Sequence, residues 1–336
     1  MDIVYSSSDS YCEIAGISML SLLEHNCDVK ELNIFLIDNH ISENNKKKLE
    51  GMIAAFGRTL TYLNHPDIEK RSATEINVGR WNISTFYRLF LPSMLPETVK
   101  RVLFIDCDTL VMQDLTPLWE MDMKDMWLYG VDDCRGAAYR TNLGLKPEDN
   151  YINNGVLLVD LEAWRKNNVE DMFLQYIREN QGDITFVDQG VQNGVLSKLG
   201  RSGLLHPKYN CMTVFFAFDY KNLIKLRKPP VPGDPAQYQE AVKNPAIVHF
   251  QSCFRMSIRP WVEGCKHPYA KTYLEYKAKS PWKDTPMMPD DRTVPQKLLS
   301  FVTSIMPEGL MVGSISFVHT TIYPLARNLK QRMNRK

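Results

Sequence analysis

Arg101-Val-Leu-Phe-Ile-Asp106-Cys107-Asp108-Thr109-Leu-Val-Met-Gln-Asp114 is the stretch on which the fold turns. Val102 to Ile105 is an unbroken apolar run, the pattern of a strand covered on both faces, and it ends in two carboxylates one residue apart. Two acids at a buried strand end are costly unless a cation sits between them, and hard oxygen donors suit Mg²⁺ or Mn²⁺. Asp-x-Asp at a strand end also arises because Asp favours turns, so the motif by itself leaves a metal site and an ordinary turn both open. A metal site requires more of the chain: a third ligand, a place for a phosphate-bearing substrate, and catalytic groups.

Everything before this stretch alternates between strand and helix patterns. Ile3 to Tyr5 reads as a short strand, Ser6-Ser7-Ser8-Asp9-Ser10 as a polar turn, and Tyr11 to Glu24 as a helix. Ser10 and Glu13 have the spacing of a capping box, and Ile14, Ile17, Leu20 and Leu23 recur at helical intervals. In an α/β nucleotide fold the first turn faces the ligand crevice, where hydroxyls and a carboxylate meet a nucleotide, although the same serines serve equally to cap the helix. Asn33 to Ile37 is a second strand, Ser42 to Phe56 a helix with a solvated face at Glu43, Lys46, Lys47 and Lys48, and Thr59 to Leu63 a third strand. Asn82 to Leu89 opens a helix that Pro92 limits, with Ser84 or Thr85 as its cap and Arg88 about one turn inside. Arg88 is either a surface group or a phosphate ligand near the Asp-x-Asp strand.

Downstream, Leu115 to Trp119 is a short apolar segment, and Met126 to Val131 is a strand ending in Asp132-Asp133. Cys134 to Asn150 reads as a polar loop long enough to act as a lid or an acceptor-binding segment. Tyr151 to Asp160 is a polar bend, with Asn153 and Asn154, feeding a strongly apolar strand, and a helical stretch runs from Trp164 to about Asn180. Asp188-Gln189-Gly190 opens another helical pattern, in which acid and amide serve as capping groups if nothing else. Lys228 to Pro235 is a surface loop, and Ala246 to Phe250 a short strand carrying His249, a core residue or a metal ligand.

With 336 residues the chain has room for one large α/β domain with appendages or for two domains. Forty Lys and Arg nearly balance 39 Asp and Glu, so the overall charge gives no reason to expect nucleic acid as a partner. Seven cysteines, none in Cys-x-x-Cys spacing, read as reduced thiols. The opening residues lack a basic region followed by an apolar one, and no run of about 18 apolar residues occurs. A cytoplasmic protein without a membrane span is therefore expected. Residues 293–336 differ in character: Leu298, Leu299, Phe301, Val302, Ile305 and Met306 form an apolar stripe, and Arg327, Lys330, Arg332, Arg335 and Lys336 a basic end. Such a tail suits peripheral binding to an anionic membrane surface, and equally a helix packed on the domain with a frayed terminus.

Asp106-Cys107-Asp108, Asn153-Asn154-Gly155-Val156, Asp188-Gln189 and His249 follow one another in an order and spacing that resembles glycosyltransferase family 8 over about residues 1 to 265. That family includes galactosyltransferases and glucosyltransferases of bacterial lipopolysaccharide assembly, and glycogenin. The resemblance implies an α/β GT-A nucleotide-sugar fold, with a single Rossmann-like mixed sheet and flanking helices in 1–265. The C-terminal extension, 266–336, carries the helical tail. The implied activity is Mn²⁺-dependent retaining transfer of a hexose, glucose or galactose, from a UDP-sugar to a saccharide or lipid-linked glycan acceptor. By the same resemblance Asp106, Asp108 and His249 ligate Mn²⁺, or Mg²⁺ in its place, bridging the two phosphates. Asp9 matches the acid that reads the uracil, with Ser6 and Cys107 on the nucleotide side. Arg88, Asp133, Asn153, Asp188 and Gln189 match positions that hold the donor sugar, with Asn154 beside them. Gln189, paired with Asp188, lies on the face of the anomeric carbon opposite the leaving group, and with no carboxylate nucleophile there, front-face attack is favoured.

The family's histidine is often followed by His-x-x-Gly and then Lys-Pro-Trp. Here the stretch is His249-Phe-Gln-Ser252, a longer Cys253 to Ile258 segment, then Arg259-Pro260-Trp261, with Arg259 in place of the lysine as the cation for the diphosphate. The competing resemblance is to haloacid-dehalogenase-type phosphohydrolases, whose Asp-x-Asp-x-Thr motif would make Asp106 a nucleophile and Asp108 an acid/base. That motif normally stands near the start of its domain and is followed by Gly, neither of which holds here.

Overall fold

The computed structural model describes residues 1–79 and 81–326. Its strands are β1 (Asp2–Ser8), β2 (Asn33–Asn39), β3 (Leu60–Asn64), β4 (Arg101–Ile105), β5 (Thr109–Val111), β6 (Leu128–Asp132), β7 (Ile152–Asp160), β8 (Ser202–Leu204), β9 (Cys211–Met212) and β10 (Ile247–His249). Seven of them form one mixed sheet in the order β3-β2-β1-β4-β7-β6-β8, and β5-β10-β9 form a small second sheet. β1 runs parallel to β2 and β4, whereas β7 is antiparallel to both β4 and β6.

The apolar run of β4 divides by alternation. Leu103 and Ile105 join the core cluster that contains the helix Cys12–His25, while Val102 and Phe104 join the cluster on the opposite face. β7 does the same, with Val156 and Leu158 on one side and Leu157 and Val159 on the other. Both central strands are thus buried on two faces, which is why they read as continuous apolar runs. β1 lies between β2 and β4, so the carboxyl ends of β1 and β4 flank the point where strand order reverses, the usual ligand crevice of an open α/β sheet. The α/β reading, with a mixed sheet and flanking helices, holds.

Several local expectations are corrected by tertiary contacts. Ser10 and Glu13 make no capping box: Asp9–Tyr11 is a 3₁₀ turn, no side chain caps the helix, and Glu13 is buried in an ion pair with Lys277. Asn82, not Ser84 or Thr85, caps the next segment, which is a 3₁₀ helix over Ile83–Phe90 with only Leu91–Met94 α-helical. The supposed loop Cys134 to Asn150 contains the helix Ala137–Asn142. The stretch beginning at Trp164 is two helices, Leu161–Lys166 and Val169–Glu179, separated at Asn168, whose φ is 49°.

Past residue 265 the helix Ala270–Lys279 packs across Cys12–His25, placing Tyr273 and Tyr276 in the same core as the sheet, and Trp282, just beyond the helix, joins them. Two further helices follow, Val294–Ile305 and Glu308–Phe317. Val294, Leu298, Phe301 and Ile305 are 79%, 60%, 63% and 67% exposed, so the apolar stripe is largely uncovered. Contrary to expectation, one continuous helix, Glu308–Ala326, is long and apolar enough by length and composition to cross a membrane. Its Met311 and Val312 nevertheless belong to the core, and Ser316 Oγ donates to Lys225 O at 2.9 Å, which fixes one side of it to the domain. The basic residues Arg327 to Lys336 lie outside the described residues.

Candidate active site

Asp106, Cys107 and Asp108 form the short link between β4 and β5. Asp106 N donates to Gly155 O on β7 at 2.8 Å, and Thr109 Oγ1 donates to Asp106 O at 2.8 Å, so the link is tied at both ends. β10 runs antiparallel to β5 with His249 opposite Thr109, and that register carries the imidazole to the two acids from far along the chain. His249 Nε2 lies 3.3 Å from Asp108 Oδ1 and 3.9 Å from Asp106 Oδ2. One ligand atom from each of the three residues lies within 4.8 Å of the others.

A chain of hydrogen bonds fixes which nitrogen of His249 faces the acids. Gly155 N donates to Asn153 Oδ1 at 2.9 Å, and a backbone N–H can only donate, so this atom is the oxygen. Asn210 therefore turns its amide nitrogen to Asn153 Oδ1, at 2.8 Å, and its oxygen to His249 Nδ1, also at 2.8 Å. Nδ1 must then carry a proton, so Nε2 is the nitrogen that faces Asp106 and Asp108 and the one that can give its lone pair to a cation. Two carboxylates and an oriented imidazole nitrogen are a fitting donor set for Mn²⁺ or Mg²⁺. In their mutual field, burial raises the Asp106 carboxyl against the pull of Arg88, with Asp108 adding to the rise. Burial would raise Asp108 as well, but His249 and Arg259 outweigh it and hold the carboxyl below its ordinary value. Burial and both acids push the Cys107 thiol far up, which disfavours its thiolate form.

Arg88 anchors the floor of the site. Its guanidinium reaches Asp106 Oδ1 at 2.8 Å, Asp188 Oδ2 at 3.2 Å and Asn154 O at 2.6 Å, and its face lies 4.5 Å over the Phe104 ring. Asp106 thus gives one oxygen to Arg88 and keeps the other towards His249. Asn154 Nδ2 donates to Asp188 Oδ2 at 2.8 Å, and Gln192 Nε2 donates to Asn154 Oδ1 at 2.7 Å. Asp188 is therefore committed to Arg88 and Asn154. Phe186 and Val187, just before it, both hold left-handed backbone, with φ of 61° and 46°, an uncommon conformation that costs energy and turns Asp188 and Gln189 inward.

Gln189 Nε2 donates to Asp133 Oδ2 at 2.8 Å, while its Oε1 accepts from Asn153 Nδ2 at 3.3 Å and from Asn154 N at 3.4 Å. Asp133 Oδ2 also accepts from Arg135 Nε at 2.8 Å, whereas Asp133 Oδ1 is buried and has no hydrogen-bond partner among the described residues. Burial would raise Asp133, but Arg135 and Arg227 overcome it and keep it ionised. Arg259 Nη1 lies 3.6 Å from Asp108 Oδ2 and stacks 5.3 Å over Trp261, at the rim. Ser6, near the end of β1, is half-buried, and Asp9 is exposed. Asp9 accepts from Ser42 N at 2.9 Å and Asn45 Nδ2 at 2.7 Å, so its carboxylate also braces the start of the helix Glu43–Ala54.

Asp106, Asp108, His249, Arg88, Asp188, Gln189, Asn153, Asn154, Asp133 and Arg259 thus meet through direct contacts, with Cys107 in the link between the two acids. Sequence reasoning missed Asn210, Gln192, Arg135 and Arg227, isolated polar residues that carry no periodic or motif signal. Thr109 argues against the phosphohydrolase reading, because its hydroxyl is spent inside the fold on Asp106 O and on Ser18 Oγ at 2.7 Å.

The sequence profile of glycosyl transferase family 8 matches residues 2–264. General stress protein A of Bacillus subtilis (strain 168) is 30% identical over 286 residues, covering 84% of this chain and 94% of that protein. Lipopolysaccharide 1,2-glucosyltransferase of Escherichia coli (strain K12) is 20% identical over 290 residues, covering 84% and 79%. Among solved structures, the galactosyltransferase LgtC in complex with donor and acceptor sugar analogs superposes with a TM-score of 0.70 at 24% identity, covering 84% of this chain and 96% of that one, which shows a shared fold.

Proposed function

The chain belongs to glycosyl transferase family 8 and is a hexosyltransferase of the GT-A fold, and we propose that it moves glucose or galactose from a UDP-sugar to a saccharide or lipid-linked glycan with retention of configuration. The observation that carries this reading is the convergence of Asp106, Asp108 and His249 from strand ends remote in sequence, their ligand atoms within 4.8 Å of one another.

In this reading Asp106, Asp108 and His249 hold Mn²⁺, which when bound would offset charge on the departing diphosphate. Ser6, Asp9 and Cys107 border the nucleotide, and Arg259 supplies a fork for diphosphate oxygens. Arg88 keeps Asp106 and Asp188 in place, while Asn153, Asn154, Asp133 and Asp188 frame the sugar. Gln189 is a neutral amide held at both ends, and Asp188 is bound to Arg88 and Asn154, so neither offers a free carboxylate to attack the anomeric carbon. Front-face transfer follows: the bond from the anomeric carbon to the phosphate oxygen breaks, the acceptor oxygen bonds to that carbon from the same side, and the acceptor proton passes to a diphosphate oxygen.

Screening UDP-glucose, UDP-galactose and UDP-GlcNAc for UDP release with and without Mn²⁺ tests the reading. Release from a hexosyl donor that depends on the cation supports it. Indifference to every uridine nucleotide, or hydrolysis of an aryl phosphate with Mg²⁺, would sink it. The exposed face of Val294–Ile305 supports a second element of the proposal, attachment at an anionic membrane surface on the cytoplasmic side, because the packed inner side of Glu308–Ala326 favours lying on the domain over spanning. Removing residues 293–336 should then abolish binding to vesicles of anionic lipid, and unchanged binding would exclude this attachment.

A further inference from the structure

Two arginines beside Gln189 share one carboxylate. Arg135 binds Asp133 Oδ2 at 2.8 Å, and Arg227, at the end of the helix Tyr220–Arg227, makes no ion pair among the described residues. Arg227 is half-buried and close enough to Asp133 and Arg135 for both charges to act on it; burial, with Arg135 adding, pulls its guanidinium below the ordinary value. The next acid, Asp132, is turned towards Arg140, 3.7 Å away. One positive charge is therefore left uncompensated in a poorly hydrated place, and an unpaired charge there is costly unless an anion arrives from outside. Arg135 pairs with Asp133, whereas Arg259 lies 3.6 Å from Asp108 on the diphosphate side.

Aromatic rings and the C-terminal helix flank these arginines. The Arg135 guanidinium lies 4.3 Å over the Phe186 ring and 5.8 Å over Tyr139, and these two rings are 5.2 Å apart, giving an apolar floor. The C-terminal helix closes one side: a Cβ placed on Gly136 would stand 2.9 Å from Arg227 O and 3.8 Å from Thr320 Cγ2, so backbone and helix are in close approach. One residue earlier on that helix, His319 stacks on Tyr323 at 5.7 Å. His319 is exposed on that helix, and the neighbouring Arg227 and Arg135 charges disfavour its protonation, so at neutral pH it offers hydrogen bonds without adding charge.

We propose that Arg135, Arg227 and His319 form an anion-binding acceptor subsite, with Tyr139 and Phe186 as its floor, which takes a phosphoryl group attached to the acceptor saccharide. The proposal rests on the hexosyltransferase reading and names the chemistry of its acceptor. The guanidinium fork matches phosphate oxygens, and Gln189, bonded to the same Asp133 oxygen as Arg135, links this subsite to the reacting centre.

The test is calorimetric titration of the full chain with UDP and Mn²⁺ present to fill the donor site, comparing glucose 1-phosphate with methyl α-glucoside. The phosphorylated sugar should bind about tenfold or more tightly. Arg227→Gln should bring the two ligands to near equality, and Arg227→Lys should keep part of the difference. Vesicles of phosphatidylcholine with and without a polyprenyl-phosphate-linked glucose separate the sources. Arg227-dependent binding to the loaded vesicles assigns a lipid-linked acceptor, and Arg227-dependent binding of the soluble phosphate alone assigns a free sugar phosphate. Equal binding of charged and neutral ligands by the unmodified chain, or a preference that survives Arg227→Gln, would overturn the subsite while leaving the donor reading intact. Failure to bind UDP with Mn²⁺ would instead overturn the donor reading, and the subsite with it.

Discussion

Asn210 decides the protonation pattern of the candidate metal centre although it touches no cation itself. Its carbonyl oxygen, oriented through Asn153 by the Gly155 N–H, keeps the proton on His249 Nδ1. Asn210→Ala should weaken Mn²⁺ binding about 10- to 100-fold, because a partner of this kind sets the orientation and basicity of the ligating imidazole. Manganese titration of UDP binding measures it, with His249→Ala as the reference for loss of the ligand itself. An Asn210→Ala variant with unaltered manganese affinity would show that the imidazole is positioned by packing alone.

At the scale of elements, the close approach of Gly155 on β7 to the His249 ring on β10 leaves no room for a side chain at residue 155. A Cβ on Gly155 would stand 2.3 Å from His249 Cε1 and 2.4 Å from Nδ1, so the ring must move. Gly155→Ala should therefore lose metal-dependent UDP release more completely than it loses thermal stability. Gly51 gives the contrast, since it lies on the exposed side of Glu43–Ala54 and an added Cβ meets nothing within 4 Å. Gly51→Ala should raise stability by up to about 1 kcal/mol through helix propensity and leave activity untouched. Chemical denaturation of the two variants side by side checks both signs. Both glycines look alike in the sequence, and only the approach of a second strand separates them.

At the scale of the whole molecule, the C-terminal third helps to hold the catalytic layer. The Glu13 and Lys277 side chains are 6% and 7% exposed and join the first helix to Ala270–Lys279. Lys277→Met leaves a buried carboxylate without its partner and should cost about 3–5 kcal/mol, whereas Glu13→Leu combined with Lys277→Met should recover most of the loss. Thermal denaturation of the single and double variants decides this. His267 is buried among Phe250, Phe216 and Tyr269, its Nε2 has no hydrogen-bond partner among the described residues, and burial pushes its imidazole down to about 4. The native state therefore binds fewer protons at this residue than the unfolded chain does. Its contribution is complete above about pH 6.5 and lost as pH falls towards about 4, up to about 3 kcal/mol. His267→Gln should flatten the fall in unfolding free energy across that window, and an unchanged slope would assign the acid lability elsewhere.

Local pattern alone determined much of this protein. The apolar run before Asp106 and Asp108, the strand and helix alternation ahead of it and the separated motifs around Asn153, Asp188 and His249 were all readable, because periodicity and short-range spacing are written in consecutive residues. The tertiary structure alone decided which isolated polar residues matter. Sheet order brings His249 to Asp108, and the packing of elements around it brings Asn210 to His249, pairs Glu13 with Lys277 in place of a capping box, and sets Arg135 and Arg227 near one carboxylate, Asp133. These are charge and hydrogen-bond relations between residues far apart in the chain. Their energies depend on burial and distance, which no local pattern records.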